Sequence, residues 1–336
     1  MAHITVLDIA REANVSPSTA ARAINNSSYV SEDKRRAIDD AVKKLGYIPN
    51  QVAKGLRNNR TNIIGYILTA DFNPFFRMIG EALDAACGKN GYRLLNVSTP
   101  NDPKKLDDMV RELVGHMVEG IIFSGMTGVS VDIVEEVRKM GVPVVMIERP
   151  HNLSGIDKIY IDNEEGSCLA TGYIRSMGHK QIAFIGAEPK QQIEKQRYEG
   201  FVKTMDRYGI TLEPDYVVFC ENYSVESGYK AVKKLLSNCR VRPTCIYVAS
   251  DVLACGSMQY LYEMDMRIPD DISIVGYDNT LTEVLSPPIS TVGLPFSDIG
   301  EAAIEMIIER REKKRTTSKS LTLSPNLVIR NSVKKL

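Results

Sequence analysis

From Thr61 onward, apolar runs of strand length alternate with amphipathic stretches of helix length, and this alternation restricts the chain to a parallel-sheet α/β architecture. Predicted strands cover Ile63–Leu68, Tyr92–Val97, Gly120–Ser124 and Pro143–Ile147, with helices near 75–89, 103–117 and 131–140 between them. The pattern resumes after Asp162 with strands at Gln181–Ile185, Tyr216–Phe219, Cys245–Val248 and Ile272–Val275 and helices near 165–177, 192–208, 225–237 and 252–264. A helix near 297–311 and a strand near Leu327–Ile329 come last. Two such series, breaking near residue 161, predict two similar lobes with a cleft between them, a common plan for holding a small ligand.

The first 46 residues have a different texture and read as three short helices. Val6, Ile9, Ala10 and Ala13 form one apolar face, a second helix runs from about Pro17 to Asn25, and a third from about Ser31 to Leu45 stops at Gly46. Ser31-Glu32-Asp33 reads as its N-cap with acids in the first turn. Charge separates this end from the rest: residues 1–60 carry a net +4 and the remainder −4, in a chain of 336 residues whose total is zero. A basic end on an acidic body suits contact with a polyanion at that end.

Val6–Asn25, VLDIAREANVSPSTAARAIN, suits a helix-turn-helix position by position. Ala10 is small enough to let a second helix cross close to the first. Asn14 falls where the turn needs a left-handed backbone, which Asn tolerates better than other non-glycine residues. Val15 points under the turn, Ser16 is placed to cap the second helix, and Pro17 fits its first position. The second helix then exposes Ser18 and Thr19 near its N-terminus and Arg22 one turn on, a side chain suited to bidentate contact with guanine or to phosphate.

Other classes find little support. The six cysteines, Cys87, Cys168, Cys220, Cys239, Cys245 and Cys255, form no C-x-x-C pair and sit in apolar stretches, as buried free thiols of a reducing compartment do. The opening MAHITVLDIAREA has acids where a signal peptide needs an apolar stretch, and no apolar run approaches a membrane span, so a cytoplasmic protein is expected. Phosphate-binding, nucleophile-elbow and zinc-protease motifs are missing, and His3, His116, His151 and His179 have no ligand spacing. His179, at a helix end, reads as a surface residue. Neither an enzyme nor a metal or cofactor is expected. A free sugar-binding protein with the same lobes would lack the first sixty residues.

The whole chain resembles the lactose-repressor/galactose-repressor family of bacterial regulators. The likeness is carried by the helix-turn-helix and by YVSEDKRRAIDDAVKKLGYIPNQVAKGLRNNRTNIIGYI, NPFF at Asn73–Phe76, IDNEEG at Ile161–Gly166, GHKQIAFIG at Gly178–Gly186, RYEGF at Arg197–Phe201 and RIPDDISIVGYDN at Arg267–Asn279, in family order. It implies a helix-turn-helix domain over 1–48, a hinge helix or linker over 49–60, and a periplasmic-binding-protein-like effector domain over 61–336. The N-lobe would comprise about 61–161 and 293–323 and the C-lobe about 162–291 and 324–336, with chain crossovers near Asp162, Ser290–Gly293 and Leu321–Pro325. The implied function is sequence-specific DNA binding by a repressor of sugar-utilisation genes, released by a sugar. The alternative is a regulator whose binding a nucleobase or phosphoprotein corepressor tightens. A homodimer on pseudo-palindromic DNA is expected, since no leucine heptad follows Ser332.

The resemblance assigns DNA contacts to Thr5, Ser16, Pro17, Ser18, Thr19, Arg22 and Asn25 and, in the hinge, to Asn50, Ala53, Lys54, Leu56 and Arg57, with Leu56 as a wedge between base steps from the minor groove. Within these DNA-contacting segments two positions depart from the family pattern: Ala21 stands where a serine is usual, and Gly55 costs about 1 kcal/mol of helix propensity in the hinge. Arg35, Arg36 and Lys54 are placed for phosphate contact. The effector cleft would use Asp71, Arg197 and Asp278 for hydroxyl groups and Phe72, Phe75 and Tyr277 as aromatic faces. Arg149, Ser250 and Asp251 are further candidates, Ser250 replacing the usual Asn. Asp162 fits both a cleft-lining and a structural role.

Overall fold

The computed structural model describes residues 4–26, 28–48, 60–69, 73–100, 102–125, 129–148 and 154–336. The chain divides into two compact units, Met1–Thr61 and Asn62–Leu336. In the first, α1 (Val6–Glu12), α2 (Pro17–Asn25) and α3 (Glu32–Leu45) enclose a small core of Ile9, Ala10, Ala20, Ala23, Val30, Ile38 and Ala41. Alanines dominate it because the helices cross closely. Asn14 adopts the left-handed conformation at φ 51°, and the Ser16 hydroxyl accepts the Thr19 N–H at 3.2 Å, capping α2 ahead of Pro17. Ser31 precedes α3 but makes no side-chain capping bond, so the acids Glu32 and Asp33 carry the favourable dipole interaction there. Gly46 ends α3 with φ 64°.

Among its described residues the second unit holds two six-stranded sheets. The N-lobe contains β1 (Ile63–Thr69), α4 (Pro74–Lys89), β2 (Arg93–Thr99), α5 (Pro103–Gly115), β3 (Gly120–Ser124), α6 (Val131–Lys139), β4 (Val144–Ile147) and β5 (Asp157–Ile161). The chain then builds the C-lobe with α7 (Asn163–Ser176), β6 (Ile182–Ala187), α8 (Gln192–Arg207), β7 (Val217–Cys220), α9 (Val225–Asn238), β8 (Cys245–Val248), α10 (Asp251–Glu263), β9 (Ser273–Asp278) and β10 (Ser290–Gly293). It returns through α11 (Phe296–Arg311) to β11 (Ser320–Leu323) in the first sheet and ends with β12 (Asn326–Val328) in the second. The strand orders are β11-β5-β4-β3-β1-β2 and β12-β10-β9-β8-β6-β7. All pairings are parallel except β10 with β12.

Central strands such as β3, β4, β6 and β8 are buried along their whole length, which explains their unbroken apolar sequences. Three strands escape the hydrophobic pattern: β5 (DKIYI), β10 (STVG) and β11 (SLTL). These strands are short and rich in polar residues: distant partners satisfy Asp157 of β5 and Ser290 and Thr291 of β10, whereas Ser320 and Thr322 of β11 are exposed. Asp157, fully buried at the start of β5, is held by Arg310 and Arg315, each at 2.7 Å. β7 begins at Val217 rather than Tyr216, because a turn of 3-10 helix occupies Pro214–Tyr216.

His179 corrects the sequence reading. It is buried, not on the surface, with Nδ1 2.9 Å from the Thr244 hydroxyl and Nε2 2.9 Å from the Lys334 carbonyl. It ties the start of β6 to the C-terminal segment, and burial lowers its pKa, keeping it neutral. All six cysteines are free thiols; Cys87, Cys220 and Cys245 are buried and the others half-buried. Among the described residues no helix is long and apolar enough to cross a membrane, and no cluster of His, Cys, Asp or Glu has the geometry to hold a metal ion.

Candidate nucleic-acid interface and interlobe cleft

On α2, Ala20 and Ala23 face the core, while Ser18 and Arg22 point outward at i, i+4 spacing and Asn25 continues the same stripe half-buried. The polar groups are already ordered. Ser16 Oγ lies 2.9 Å from Ser18 Oγ and 2.8 Å from Thr19 Oγ1. Arg22 Nε donates to the Ser18 carbonyl at 3.2 Å, and Asn25 Nδ2 donates to the Ala21 carbonyl at 2.7 Å. Arg22 therefore leaves its terminal nitrogens for an outside acceptor. Pro17 is exposed at the helix start. Thr5 is exposed, but its N–H and hydroxyl both donate to Asp8, at 2.9 and 2.7 Å. Arg35 donates to Asn26 Oδ1 at 2.7 Å, and Arg36 lies 3.8 Å from Glu32. The hinge candidates Asn50, Ala53, Lys54, Leu56 and Arg57 lie outside the described residues.

In the second unit, the carboxyl ends of the strands of both sheets face one cleft. Its innermost cavity, about 60 Å³, is lined from the N-lobe by Asn73, Phe75, Phe76, Gly125 and Glu148, and from the C-lobe by Ile193, Glu194, Arg197, Tyr223, Ser250 and Asp278. Glu148 and Ile193 also line an adjoining space of about 490 Å³ with Asp162, Glu164, Gln192 and Gln196. A hollow of about 630 Å³ beside Arg175, Tyr208 and Arg240 lies at the opposite ends of the C-lobe strands. The C-termini of α7 and α8 meet there, whereas open α/β sheets hold their ligands outside the carboxyl ends of the strands, on the side of the cleft.

Arg197 organises the cleft floor from α8. Its Nε donates to Asn163 Oδ1 at 3.0 Å, Nη1 to the Ala249 carbonyl at 2.7 Å and Nη2 to Asp278 Oδ1 at 3.1 Å. Burial works against its charge, but the Asp278 carboxylate and surrounding tyrosines outweigh that, so the guanidinium stays charged. Its face rests on the Tyr277 ring, 3.9 Å from the centroid. Asp278 sits at the end of β9 with φ 107°, a strained position of the kind that clusters at functional sites.

Arg197, Asp278, Ser250 and Phe75 thus meet at one cavity. Tyr277 does not line it: it is fully buried beneath Arg197, with its hydroxyl donating to Asn163 Oδ1 at 3.1 Å. Asp251 lies behind the floor and accepts the Thr280 N–H at 2.7 Å and the Thr291 hydroxyl at 2.9 Å. Asp162 caps α7 by accepting the Glu165 N–H at 2.9 Å, and it also lines the adjoining space. Asp71, Phe72 and Arg149 lie outside the described residues.

Sequence reasoning overlooked Asn163 and Glu148. Glu148 accepts the Ile161 N–H at 2.5 Å and the Asn163 amide at 2.9 Å. Because Asn163 also accepts from Arg197 and Tyr277, a continuous polar chain runs from the N-lobe across the first crossover to Asp278. The signal was present in IDNEEG, one residue beyond Asp162. Glu194 and Tyr223 were also overlooked.

Burial, and next to it the Asp278 carboxylate, push Asp251 up to about 8. The folded chain therefore binds a proton that the unfolded chain has released over the interval from the ordinary value of 3.8 to about 8. Stability is expected to fall as pH rises through that interval. Urea unfolding at pH 5, 7 and 8.5 should show the decline, and Asp251→Asn should flatten it. An unchanged slope in the variant would contradict the assignment.

Residues 5–50 match the family described as bacterial regulatory proteins, lacI family, and residues 171–333 match a periplasmic binding protein-like domain. The chain is 33% identical over 334 residues to the HTH-type transcriptional repressor PurR of Pasteurella multocida, covering 98% of each protein. It is 32% identical over 330 residues to the ribose operon repressor of Haemophilus influenzae, again covering 98% of each. The lac repressor dimer bound to operator and the anti-inducer ONPF shares the fold with a TM-score of 0.82 at 24% identity, over 99% of this chain and 100% of that one. With its capped second helix and two-lobed α/β unit, the chain belongs to the lacI family of bacterial regulatory proteins and is a DNA-binding transcriptional repressor.

Proposed function

We propose that this repressor is released from a pseudo-palindromic operator when a sugar or sugar derivative occupies the interlobe cleft. The observation that carries this reading is the buried Arg197–Asp278 pair at the cleft floor, joined through Asn163 to Glu148 of the other lobe. Hydroxyl groups both donate and accept, so they match carboxylates and a guanidinium set around a cavity that Phe75 and Phe76 close on one side. A ligand that bridges the lobes favours the closed arrangement by its differential affinity. The ribose operon repressor of H. influenzae, at 32% identity, supports a sugar. A second reading, a flat nucleobase that tightens DNA binding, is favoured by the Phe75 and Phe76 rings, 5.2 Å apart at the cavity wall.

Electrophoretic shift of DNA selected by the protein from a random-sequence pool separates the two. D-ribose or D-glucose should weaken the complex. If sugars never weaken it and hypoxanthine strengthens it, the sugar reading is wrong.

On DNA, a cytoplasmic homodimer would place two α2 helices in successive major grooves, with Ser18 and Arg22 at base edges and Arg35, Arg36 and Lys54 on phosphates. Leu56 would wedge the minor groove from each linker. Leu56→Ala is expected to weaken operator binding about tenfold or more while leaving the sensor's thermal unfolding unchanged, since unstacking a base step costs a few kcal/mol. Operator affinity equal to the parent protein's would remove the wedge from the mechanism.

A further inference from the structure

The loop that follows α11 is tied down from one side and left bare on the other. Beneath it lies Asp157, fully buried at the start of β5, which accepts five hydrogen bonds: two from Arg310 at 2.7 and 2.9 Å, two from Arg315 at 2.7 and 3.0 Å, and the Lys319 N–H at 2.7 Å. Glu309 adds a second anchor, accepting Arg315 Nε at 2.9 Å and Lys319 Nζ at 2.8 Å. The Arg315 N–H donates to the Glu309 carbonyl at 3.0 Å, and within these ties Lys314 takes a left-handed backbone at φ 54°. A lysine does not prefer that conformation, so the anchors fix the turn.

What the anchored loop shows to solvent is a run of hydrogen-bond donors. Lys313-Lys314-Arg315-Thr316-Thr317-Ser318-Lys319 contains no carboxylate. Arg315 is turned inward onto Asp157, and the other six are exposed. Glu309 holds Lys319, while among the described residues no carboxylate pairs with Lys313 or Lys314. Glu312, the acid that precedes the run, receives the Tyr92 hydroxyl at 3.5 Å. Two ammonium groups beside three hydroxyls, with no acceptor-only group among them, match the anionic oxygens of a phosphodiester backbone. The loop also departs in sign from its surroundings, since residues 61–336 carry a net −4.

Its place in the fold says which polyanion it meets. Arg311, at the base of the loop, lies 3.5 Å from Glu119 Oε2, and Glu119 Oε1 accepts the Asn62 N–H at 2.8 Å, where the chain enters β1. On the other side of Asn62, Arg93 is exposed at the start of β2, and its N–H donates to the Asn62 carbonyl at 2.8 Å. The chain arrives at this edge from the helix-turn-helix through residues 49–60, which span at most about 40 Å when fully extended. A duplex gripped by α2 is therefore tethered close to the lysine loop.

We infer that the loop after α11 is a second DNA contact, in which Lys313 and Lys314 sit on backbone phosphates near the segment that α2 reads. They add affinity without reading sequence, because phosphates are the same at every step. Screening over about 8 Å at physiological ionic strength means that exposed lysines act only on phosphates they nearly touch, so the contact registers in the salt dependence of binding.

The test measures DNA affinity of the full chain against KCl concentration and needs no effector. Two duplexes of equal length are used, one selected by the protein from a random-sequence pool and one scrambled. Lys313→Gln/Lys314→Gln should weaken both complexes at least about fivefold near 0.15 M salt. It should also reduce the slope of log affinity against log salt by about 1 to 2, since each phosphate contact contributes about 0.9. Preference for the selected duplex should stay within about twofold. Lys313→Arg/Lys314→Arg should keep the parent slope, which separates lost charge from a disturbed fold. Lys233→Gln/Lys234→Gln removes the same charge from the exposed face of α9 in the C-lobe and should move the slope by less than about 0.5. A parental slope in the glutamine loop variant, or an equal drop in the α9 variant, would overturn the contact. So would a loss confined to the selected duplex, because the loop would then be acting on sequence recognition rather than on phosphate.

Discussion

Replacing Arg197 by methionine is expected to lower the unfolding free energy by about 3–5 kcal/mol, because it strands the Asp278 carboxylate in a site with almost no water. Methionine keeps much of the side chain's length, so the loss is electrostatic rather than a cavity. Three acceptors, Asn163 Oδ1, the Ala249 carbonyl and Asp278 Oδ1, lose their donor together. Burial already raises the pKa of Asp278, and removing the cation opposite it raises it further, so the penalty should shrink as pH falls and the carboxyl takes up a proton. Urea unfolding at pH 7 and pH 5 measures this directly. The double variant Arg197→Met, Asp278→Leu should recover most of the loss, since an apolar pair of similar volume can replace a buried ion pair at little cost. Equal stability of the single and double variants would show that the pair is not the source. Neither variant should respond to a cleft ligand.

Gly256→Ala should be comparably damaging, at about 3 kcal/mol, the upper part of the range for overpacked sites. α9 and α10 cross on glycine: a Cβ at Gly256 would stand 1.8 Å from the Val225 carbonyl oxygen, and one at Gly228 would stand 2.1 Å from that of Leu253. These neighbours are backbone, so they yield only if the helices separate. Helix propensity alone gives the opposite sign, favouring alanine by about 1 kcal/mol. Thermal unfolding therefore decides between the two effects. A rise in Tm for Gly256→Ala would mean the helices part easily.

Much of the fold was legible because its signals are local. The turn at Asn14, the Ser16 cap and the stop at Gly46 each depend on neighbours within a few residues, and each stands where the pattern placed it. The long buried strands announced themselves by unbroken apolar runs. The short strands β5, β10 and β11 did not: polar residues of β5 and β10 are satisfied by distant partners such as Arg310 and Arg315 on Asp157, and those of β11 are exposed at the sheet edge. His179 was misread for the same reason: its partners lie 65 and 155 residues away.

The cleft shows the same division. Arg197 and Asp278 were recognisable from motifs around them, yet the roles of the neighbouring candidates depended on which way each side chain faces. Tyr277 and Asp251 belong to the supporting layer, and Glu148 and Asn163 take their place in the polar chain only once two lobes are folded together. The sequence by itself determined the three-helix unit, the alternating α/β lobes and the family, because periodicity, capping and turn chemistry act over one or two turns of chain. Only the tertiary structure decided which polar groups share the cleft and why Gly256 is glycine. Those properties arise where segments far apart in sequence exclude water from one another, and no local pattern encodes the distance at which they meet.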